Sequence, residues 1–436
     1  MKLLFVENQY KTFFFEAIAL ELQKQGHDIF WIVQNKKFAP KSKFNIHIIP
    51  YPKKNNKTYK ADKSIDYIIE SDRNINYFEY KDKSHFYYYS EVLKQLVHEI
   101  HPDFIFGECT LFHELLIAKH CKELGIKYLN PLPCRYPTNK FTFYLYHTME
   151  SYGGCNEDLP REKAIEIIDN INGRTIAPDY MKPLVKTKFE KLQDKLYKTR
   201  AYYLGEKYNT PSPFVKLKIE KTKHQNKQKW DAFAQDGVDK ADGFKVLYPL
   251  QVQPEENIDV WGRPRRNQLK VIREIVENLP EDAILYVKPN PKPRYEVDSD
   301  MIHFVSNHKK IKMISHSTSM TEVFNDFDLI ITVTGTVAIE SILANKPVVT
   351  LIKTLNNTVK NCIYLEKLDN LEDIILNVKN DSFPKATLDE KIGLINLLNR
   401  TSYEGNVSDV FNDPNCLDED NINLIVSAFN EIIEKK

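Results

Sequence analysis

Short apolar runs alternate with amphipathic stretches along most of the chain. In the first half, the run from Leu3 to Val6 predicts a buried strand, and residues 12–24 have the apolar spacing of a helix. Gly26 follows that helix, at a position where a left-handed cap favours glycine, and residues 28–33 form the next apolar run. A strand, a helix and a second strand in this order are typical of the start of a doubly wound α/β domain.

The same alternation returns twice, and this predicts two α/β domains. Apolar runs at residues 104–106 and 126–129 flank a predicted helix at 111–124, and a new series of strands and helices begins near residue 245. We therefore predict an N-terminal domain over residues 1–240 with a helical, basic insertion at about 150–240, a C-terminal domain over 241–415, and a final helix over 416–436.

The segment from residue 182 to residue 229 is strongly basic. It carries 14 lysine or arginine residues against 4 acidic ones, and Leu184, Phe189, Leu192 and Leu196 recur at helical spacing. Two interpretations remain open for this amphipathic stretch. It is either a solvated helical linker or a face for anionic lipid or acidic polysaccharide, which would place the protein peripherally on a membrane.

Charge and cysteine content exclude several classes of protein. The net charge of +1 gives no electrostatic case for nucleic-acid binding. The six cysteines are scattered without a CxxC pair, which argues against a zinc ribbon and fits a reducing cytoplasm. The N-terminus meets a charge too early for a signal peptide, and no apolar run reaches about 18 residues. We expect a cytoplasmic protein, with any contact to the inner membrane being peripheral.

One segment has the pattern of a phosphate site. The apolar run 329–333 leads into Thr334, Gly335 and Thr336 and then into a predicted helix that carries Glu340. Ligands of open α/β sheets bind beyond the carboxyl ends of the strands, and a helix N-terminus attracts anions. We expect the threonines to contact phosphate and Glu340 to accept from a ribose hydroxyl. The alternative is an ordinary turn capped by threonine.

Two further loops carry polar groups at predicted strand ends. Lys288, Asn290 and Pro291 belong to a proline-stiffened loop suited to a phosphate or a sugar carboxylate, unless it is merely a rigid surface turn. Gln251, Gln253 and Glu255 follow the strand near 245–248. We expect the two amides to contact the nucleotide sugar, and the carboxylate could act at an anomeric carbon. The alternative for this second loop is a solvated acidic turn.

The order of these pieces resembles a known family. The chain reads PLQVQPEEN, then VKPNP, then HSTSMTE, then ITVTGTVAIESILANKPVV. This series is similar to the bacterial capsule polysaccharide biosynthesis family, which includes retaining Kdo (3-deoxy-manno-octulosonic acid) transferases. The resemblance implies a GT-B fold of α/β class, with two Rossmann-like domains facing a cleft and a last helix packed on the first domain. It also implies a CMP-activated ulosonic acid donor, retention of configuration, and no metal or other cofactor.

The resemblance assigns roles to residues of this chain. Glu255 falls where the family has a catalytic aspartate, which implies a nucleophile or a stabilising carboxylate. Asn290 stands where the family's Lys-Pro-His-Pro segment has its histidine, and an asparagine cannot carry charge. The positions that match the family's nucleotide-sugar site are Gln251, Lys288, Asn290, Pro291, Thr334, Gly335, Thr336 and Glu340.

Other candidates rest on the residues alone. Ser317 or Thr318 is expected to cap the following helix, whose N–H groups could also face the donor. In the N-terminal domain Glu108 is a candidate base toward the acceptor, and Arg135 is a candidate clamp for an acidic glycan. Asn8, Tyr10 and Lys11, in the first strand-to-helix loop, are candidates for lining the acceptor side.

The sequence therefore predicts a metal-independent glycosyltransferase of bacterial surface polysaccharide. Its partners would be a nucleotide sugar, presumed CMP-linked, and a glycan or glycolipid acceptor. Three alternatives stay open: a GT-B transferase with a UDP- or GDP-sugar donor, a nucleotide-sugar 2-epimerase, and an inactive glycan-binding assembly protein. Asn290 in place of histidine is the reason for leaving the donor open.

Overall fold

The computed structural model describes residues 1–52, 59–175, 186–205, 207–241 and 243–435. The chain forms two compact units, and each has its own sheet. Unit 1 comprises residues 1–158, 177–216 and 397–436, and unit 2 comprises residues 159–176 and 217–396. Leu184, from the predicted amphipathic series, lies outside the described residues.

Strands occur in both halves of the chain. They are β1 (Lys2–Val6), β2 (Asp28–Val33), β3 (Asn45–Ile48), β4 (Phe104–Phe106), β5 (Lys127–Pro133), β6 (Lys140–Leu145), β7 (Phe244–Pro249), β8 (Ala283–Lys288), β9 (Ile311–Met313), β10 (Leu329–Thr332), β11 (Val348–Thr350), β12 (Cys362–Tyr364) and β13 (Tyr403–Glu404).

Helices connect most of these strands. They are α1 (Lys11–Lys24), α2 (Asp66–Ser71), α3 (Arg73–Tyr77), α4 (Ser84–Ile100), α5 (Phe112–Leu124), α6 (Arg161–Asn172), α7 (Lys188–Leu204), α8 (Pro213–Phe233), α9 (Gln268–Glu277), α10 (Ser299–Asn307), α11 (Met320–Val323), α12 (Val337–Leu343), α13 (Leu371–Lys379), α14 (Leu388–Arg400) and α15 (Glu419–Glu434). Gly26 after α1 and Gly125 after α5 adopt φ of +91° and +71°, the left-handed conformation in which glycine carries no penalty.

The sheet of unit 1 has the order β13-β6-β5-β4-β1-β2-β3, in which β1 to β5 are parallel, β6 is antiparallel to β5, and β13 is antiparallel to β6. Phenylalanines fill its core, and the C-terminal helix α15 contributes to it. The ring centroid of Phe429 on α15 lies 4.6 Å from that of Phe106 and 4.9 Å from that of Phe143. Such aromatic pairs add about 0.5–1.5 kcal/mol each beyond their burial. The predicted return of the last helix to the first unit is confirmed.

The sheet of unit 2 is entirely parallel and has the order β12-β11-β10-β7-β8-β9. If β7 to β12 are numbered 1 to 6, the order from the β9 edge to the β12 edge is 3-2-1-4-5-6, which is the strand order of a Rossmann fold. Its strands are mostly apolar, as is typical of a parallel sheet with both faces buried. The predicted fold class, with two Rossmann-like α/β units, is confirmed.

The boundaries of the units differ from the predicted boundaries at residues 240 and 415. Helix α6 packs against α12 of unit 2, and Trp230 of α8 is fully buried in the core of unit 2. Residues 397–415 include β13, which pairs with β6 of unit 1. The helical region that we expected to be an insertion of the first domain is therefore shared between the two units.

The described part of the basic segment contains α7 and most of α8, and the helix predicted from the apolar spacing corresponds to α7. The apolar residues of the predicted series do not enter a core, since Phe189, Leu192 and Leu196 keep 66%, 54% and 63% of their surface exposed. No helix of the described residues combines the length and the apolar character that crossing a lipid bilayer requires.

Candidate functional site

The candidate site of unit 2 lies where the strand order changes direction. Strands are added outward from β7 toward β9 on one side and from β10 toward β12 on the other. Loops that leave the carboxyl ends of such neighbouring strands diverge and open a crevice for a ligand. The loops after β7 and β10 carry Gln251 and Thr334, which the sequence singled out.

Gln251 and Thr334 bind each other. The Gln251 amide Nε2 donates to the Thr334 hydroxyl at 3.0 Å, and the Thr334 N–H donates to Gln251 Oε1 at 3.3 Å. The Thr334 hydroxyl in turn donates to the carbonyl of Asn257 at 2.9 Å. The structure thus brings two predicted site residues together, 83 positions apart in sequence, and uses their polar atoms to join the two loops.

The turn after β10 offers less to an anion than we expected. The Gly335 N–H donates to the Thr332 hydroxyl at 3.2 Å, and a Cβ at position 335 would lie 2.9 Å from that oxygen. Glycine is required by this close approach. Thr336 caps α12 without a side-chain hydrogen bond, and α12 is only seven residues long. The Gly335 N–H is therefore already used by Thr332, and the expected contact of phosphate with the hydroxyls of Thr334 and Thr336 stays a prediction.

The loop after β7 is held by its own side chains. Gln253 is buried, and its amide Nε2 donates to Asp259 Oδ1 at 2.9 Å and to the Arg266 carbonyl at 3.0 Å. Gln268 Nε2 donates to Gln253 Oε1 at 3.0 Å. Both the nitrogen and the oxygen of the Gln253 amide thus form hydrogen bonds within this region. Gln253, predicted to contact the nucleotide, holds the loop in position in the structure.

Asp259 anchors the segment that carries Glu255. The Glu255 N–H donates to Asp259 Oδ2 at 3.2 Å, and Arg266 pairs with Asp259 Oδ1 at 3.0 Å. Burial raises the pKa of Asp259, while Arg266 and Gln253 oppose the rise. Glu255 itself is half-buried, so its carboxylate is placed on a fixed backbone at the carboxyl edge of the sheet.

The loop after β8 packs against the loop after β7. The Arg294 guanidinium donates to the Pro254 carbonyl at 3.1 Å, and the Tyr295 N–H donates to the Gln253 carbonyl at 3.0 Å. Asn290 accepts from the Lys292 N–H at 2.9 Å, which shapes the turn. The loops after residues 287 and 333 therefore both contact the 251–257 segment. Pro291 lies exposed at the tip.

Lys288, the last residue of β8, is a buried cation. Only 2% of the surface of Lys288 is exposed, and its ammonium group donates to the carbonyl of Pro289 at 3.4 Å. Among the described residues it forms no ion pair. Burial lowers the pKa of Lys288 to about 8, and the charge of Glu322 partly opposes that shift. A buried ammonium without a paired anion is costly, and a bound phosphate would remove that cost.

His316 and Thr318 lie at the end of the neighbouring strand β9. The Ile314 N–H donates to the Val287 carbonyl at 3.0 Å, which sets the chain beyond β9 beside Lys288. His316 is 2% exposed, and its Nδ1 lies 2.7 Å from Asp231 Oδ1.

Two buried polar atoms at this end of β9 have no hydrogen-bond partner among the described residues: Nε2 of His316 and the hydroxyl of Thr318. Burial lowers the pKa of His316, Asp231 opposes this, and the Lys288 charge adds to it. We call Lys288, His316 and Thr318 the cationic corner.

The cap of the following helix is not where we predicted it. Ser319 is the N-cap of α11, accepting from the Thr321 N–H at 3.2 Å and forming a capping box with Glu322. The prediction that Ser317 or Thr318 caps this helix is wrong. Ser317 is exposed and hydrogen-bonds with Ser315, whereas Thr318 points its unpartnered hydroxyl into the interior.

Glu340, the predicted ribose ligand, is engaged by an arginine. Glu340 Oε2 accepts from Arg174 Nη2 at 3.0 Å, and both side chains are about one-sixth exposed, at 17% each. The Arg174 guanidinium stacks 4.0 Å from the centroid of Phe324. A ribose hydroxyl at Glu340 would thus compete with, or add to, an existing ion pair.

A second polar cluster occupies the equivalent place in unit 1, beyond β1 and β4. Asn8 Nδ2 donates to Glu108 Oε2 at 3.0 Å and to Glu114 Oε1 at 2.7 Å. Lys11 forms an ion pair with Glu108. Glu114 is fully buried, and burial together with the neighbouring Glu108 raises its pKa to about 8. The structure thus unites Asn8, Lys11 and Glu108 and adds Glu114, which the sequence analysis missed.

Two other candidates of unit 1 lie outside this cluster. Tyr10 stacks on Phe411 with ring centroids 4.9 Å apart, and its hydroxyl donates to Asp194 at 2.7 Å. It therefore attaches α7 to the unit rather than lining an acceptor site. Arg135 lies half-buried on the turn from β5 to β6, one strand beyond β4 along the same sheet edge.

Some site residues could not be found from local pattern. The pair His316–Asp231 spans 85 residues and the pair Arg174–Glu340 spans 166. The only signal for His316 was its place just after an apolar run, a weak one. Within the described ranges no three histidine, cysteine or acidic side chains gather as a metal site would require. Asp298 caps α10 and Asp328 accepts from the Lys245 N–H, so both carboxylates have structural roles.

Comparison with known proteins finds a family match in the middle of the chain. Residues 159–357 match the family model described as "Capsule polysaccharide biosynthesis protein". A search of curated protein sequences found no significant match. The matched span begins at the first residue of unit 2 and includes the cationic corner and all three loops around Gln251, Lys288 and Thr334.

Several solved structures match the chain at low similarity. A glycosyltransferase from Rickettsia africae is 13% identical over 100% of this chain and 98% of its own, with a TM-score of 0.30. A UDP-GlcNAc 2-epimerase from Neisseria meningitidis is 12% identical over 99% and 100%, with a TM-score of 0.30. The KpsC beta Kdo 2,4 transferase from Thermosulfurimonas dismutans is 13% identical over 76% and 87%, with a TM-score of 0.34. At these scores the likeness does not bear on activity. The family match covers residues 159–357, less than half of the chain, and over that span the predicted resemblance to the capsule polysaccharide biosynthesis family is confirmed.

Proposed function

We propose that the protein is a glycosyltransferase of capsule polysaccharide biosynthesis that uses a nucleotide-activated sugar. Unit 2 would bind the donor, with its phosphate at the cationic corner. Unit 1 would bind the acceptor glycan or glycolipid at the Asn8–Lys11–Glu108 cluster. The donor that best fits the resemblance of the loops is a CMP-linked ulosonic acid such as Kdo, transferred with retention.

The cationic corner is the single observation that carries this proposal. Lys288 is a buried ammonium without an ion pair among the described residues, and two buried polar atoms of His316 and Thr318 beside it lack partners. All three lie at carboxyl ends of adjacent parallel strands, where α/β sheets bind ligands. A phosphate would accept from Lys288 and from the Thr318 hydroxyl, and from His316 when it is protonated.

The chemistry follows from the charges on both sides of the bond to be broken. In transfer, the bond between the anomeric carbon and the phosphate oxygen breaks, and the positive corner stabilises the leaving phosphate. The Glu255 carboxylate would stabilise or attack the electron-poor anomeric carbon. The acceptor hydroxyl then forms the new bond, and its proton would pass to Glu108. The ion pair with Lys11 would hold the Glu108 carboxylate in position.

Calorimetric titration with CMP, UMP, UDP and GDP tests the donor site. We expect CMP to bind most tightly and Lys288→Met to weaken binding. Tighter binding of UDP or GDP would favour the alternative donors that Asn290 leaves open. If the wild-type chain binds none of these nucleotides, the donor site in unit 2 is refuted.

Product analysis by mass spectrometry tests the reaction. We expect a lengthened glycan only when donor and capsule-type acceptor are both present. An epimerised nucleotide sugar formed without acceptor would instead identify a 2-epimerase. Acceptor binding without any donor turnover would identify a glycan-binding assembly protein.

A further inference from the structure

Helix α7 (Lys188–Leu204) is attached to unit 1 by one face. Its Asp194 accepts from the Tyr10 hydroxyl at 2.7 Å, and the Tyr197 hydroxyl donates to the carbonyl of Lys37. Ala201, one turn further on, is buried with 2% of its surface exposed. These contacts fix which way the helix faces, so its outer side is defined.

The outer face of α7 is apolar and exposed. Phe189, Leu192, Leu196 and Tyr203 keep 66%, 54%, 63% and 56% of their surface accessible. At 100° per residue these four side chains fall within an arc of about 60°, on the side away from Asp194 and Ala201. Isolated exposed apolar residues are ordinary, but a continuous stripe of this kind marks an interaction surface.

Basic residues border this stripe. Lys188, Lys191 and Lys195 are exposed on one flank of the stripe, and Arg200 is exposed on the other. The two acidic residues of the helix point elsewhere. Glu190 forms the capping box with Thr187, and Asp194 lies on the attached face. The outward side of α7 is therefore apolar along its centre and positive along its edges.

This distribution of charge indicates which kind of partner binds the apolar stripe of α7. An apolar stripe with lysines at its borders suits the interface of a bilayer, where the stripe enters the acyl boundary and the lysines meet lipid phosphates. Lysine is depleted in protein–protein interfaces, and a second copy of this chain would bring like charges together. We propose that the outer face of α7 binds the surface of a bilayer that contains anionic lipid. This inference does not depend on the proposed transferase activity.

Vesicle sedimentation with the full chain, without nucleotide or acceptor, tests the proposal. Vesicles of phosphatidylcholine alone serve as the neutral surface, and vesicles of phosphatidylcholine with phosphatidylglycerol as the anionic one. We expect binding to the anionic vesicles only, weakened by added salt because screening reduces the lysine contribution. Absence of sedimentation with either vesicle at low salt overturns the proposal.

Replacing apolar residues of the stripe tests whether these side chains insert into the bilayer. The triple variant Phe189→Ser, Leu192→Ser, Leu196→Ser is expected to lower the partition coefficient by at least about tenfold, since the buried apolar area supplies much of such binding. Because these side chains are exposed, folding should persist, which circular dichroism checks. Leu424→Ser, which removes a leucine 49% exposed on α15 of the same unit, is the matched control and should bind as the wild type does.

Neutralising the lysine flank tests the electrostatic part. Each lysine near an anionic surface contributes about fivefold, so Lys188→Gln, Lys191→Gln, Lys195→Gln together should weaken binding roughly 100-fold. Equal loss in a control that neutralises exposed lysines elsewhere on unit 1 would show non-specific attraction and overturn the assignment. That control changes Lys43, Lys94 and Lys122 to Gln.

Light scattering separates a bilayer from a second copy of the chain. If the stripe is a dimer interface, the wild-type chain would be dimeric and the triple serine variant monomeric, which would also overturn the proposal. A monomeric wild type that binds anionic vesicles through the stripe supports it. Failure of these experiments would leave the nucleotide titrations of unit 2 unaffected, so the two proposals can fail separately.

Discussion

Unit 1 and unit 2 place their polar groups at equivalent positions of their sheets. In unit 1 these groups follow β1 and β4, and in unit 2 they follow β7, β8, β9 and β10. The signs of the buried charges differ. Unit 1 buries the carboxyl groups of Glu7 and Glu114 and pairs Glu108 with Lys11, whereas unit 2 buries the ammonium of Lys288 beside His316. The topology thus sets where a ligand binds, and the side chains at the strand ends set which ligand.

Burial affects both sites in the same physical way. It raises the pKa of Glu114 to about 8 and that of Glu7 to about 7, and it lowers the pKa of Lys288 to about 8. In each case the charged form loses its hydration. An anionic ligand would stabilise the charged form of Lys288, whereas a bound proton neutralises Glu114. The contrast supports a donor phosphate in unit 2 and a hydroxyl-bearing acceptor in unit 1.

The largest expected effect is that of Glu255→Gln. Loss of the carboxylate should lower transfer by at least about 1000-fold while nucleotide affinity stays nearly intact, since the charge acts only on the anomeric carbon. Steady-state rates and calorimetry measure the two quantities. Glu277→Gln, an exposed change on α9, should leave both unchanged. Unaltered turnover in the Glu255 variant would remove the catalytic role from this loop.

Glu108→Gln tests the role of unit 1. Without the base, transfer to acceptor should fall about 100-fold, a typical loss when a general base is removed. Hydrolysis of the donor in the absence of acceptor, and nucleotide binding, should not change. An exposed control is Glu99→Gln on α4. If donor hydrolysis falls as strongly as transfer, Glu108 does not act on the acceptor alone and the division between the units is wrong.

Lys288→Met tests the cationic corner. A hydrogen bond to a charged group contributes about 1.5–3 kcal/mol, so nucleotide affinity should fall about 10- to 100-fold. Thermal stability should stay the same or rise, because the variant removes a buried ammonium that forms no ion pair among the described residues. Lys292→Met, in the same loop but exposed, is the matched control. Equal losses in both variants would argue against a specific phosphate site at Lys288.

The smallest effect concerns the pH dependence of stability in unit 1. Because the folded pKa of Glu114 is raised to about 8, the native state holds a proton that the unfolded state releases near pH 4.5. The contribution is fully present below the unfolded pKa and is lost as pH rises toward 8. Between about pH 5.5 and about pH 8, Glu114→Gln should flatten the decline in unfolding free energy by about 1–2 kcal/mol.

Urea denaturation at the two pH values measures this. The conservative control is Glu99→Gln, which is exposed and should keep the wild-type slope. If Glu114→Gln leaves the pH dependence of the unfolding free energy the same as in the wild type, the raised pKa of Glu114 is contradicted.

Much of the architecture could be predicted from local pattern. The strands β2 and β4 occupy the predicted residues, and Gly26 and Gly125 end α1 and α5 in the left-handed conformation as expected. That the loops after residues 287 and 333 leave the same edge of the sheet also follows from sequence, because parallel strands bring their carboxyl ends to one edge. The cap of α11 was misplaced by one or two residues, since several adjacent hydroxyl residues can each serve as an N-cap.

Apolar periodicity and turn residues determined the elements of this protein, since burial of a face and left-handed turns are local requirements. They could not decide which polar side chains would be left without partners. His316 meets Asp231, Arg174 meets Glu340, and Gln251 meets Thr334 only when distant segments are packed together. Tertiary structure alone therefore decided that Lys288 would be buried without an ion pair among the described residues, and that α7 would turn its apolar stripe outward. Desolvation and pairing depend on surroundings in space, and neighbours in sequence do not specify them.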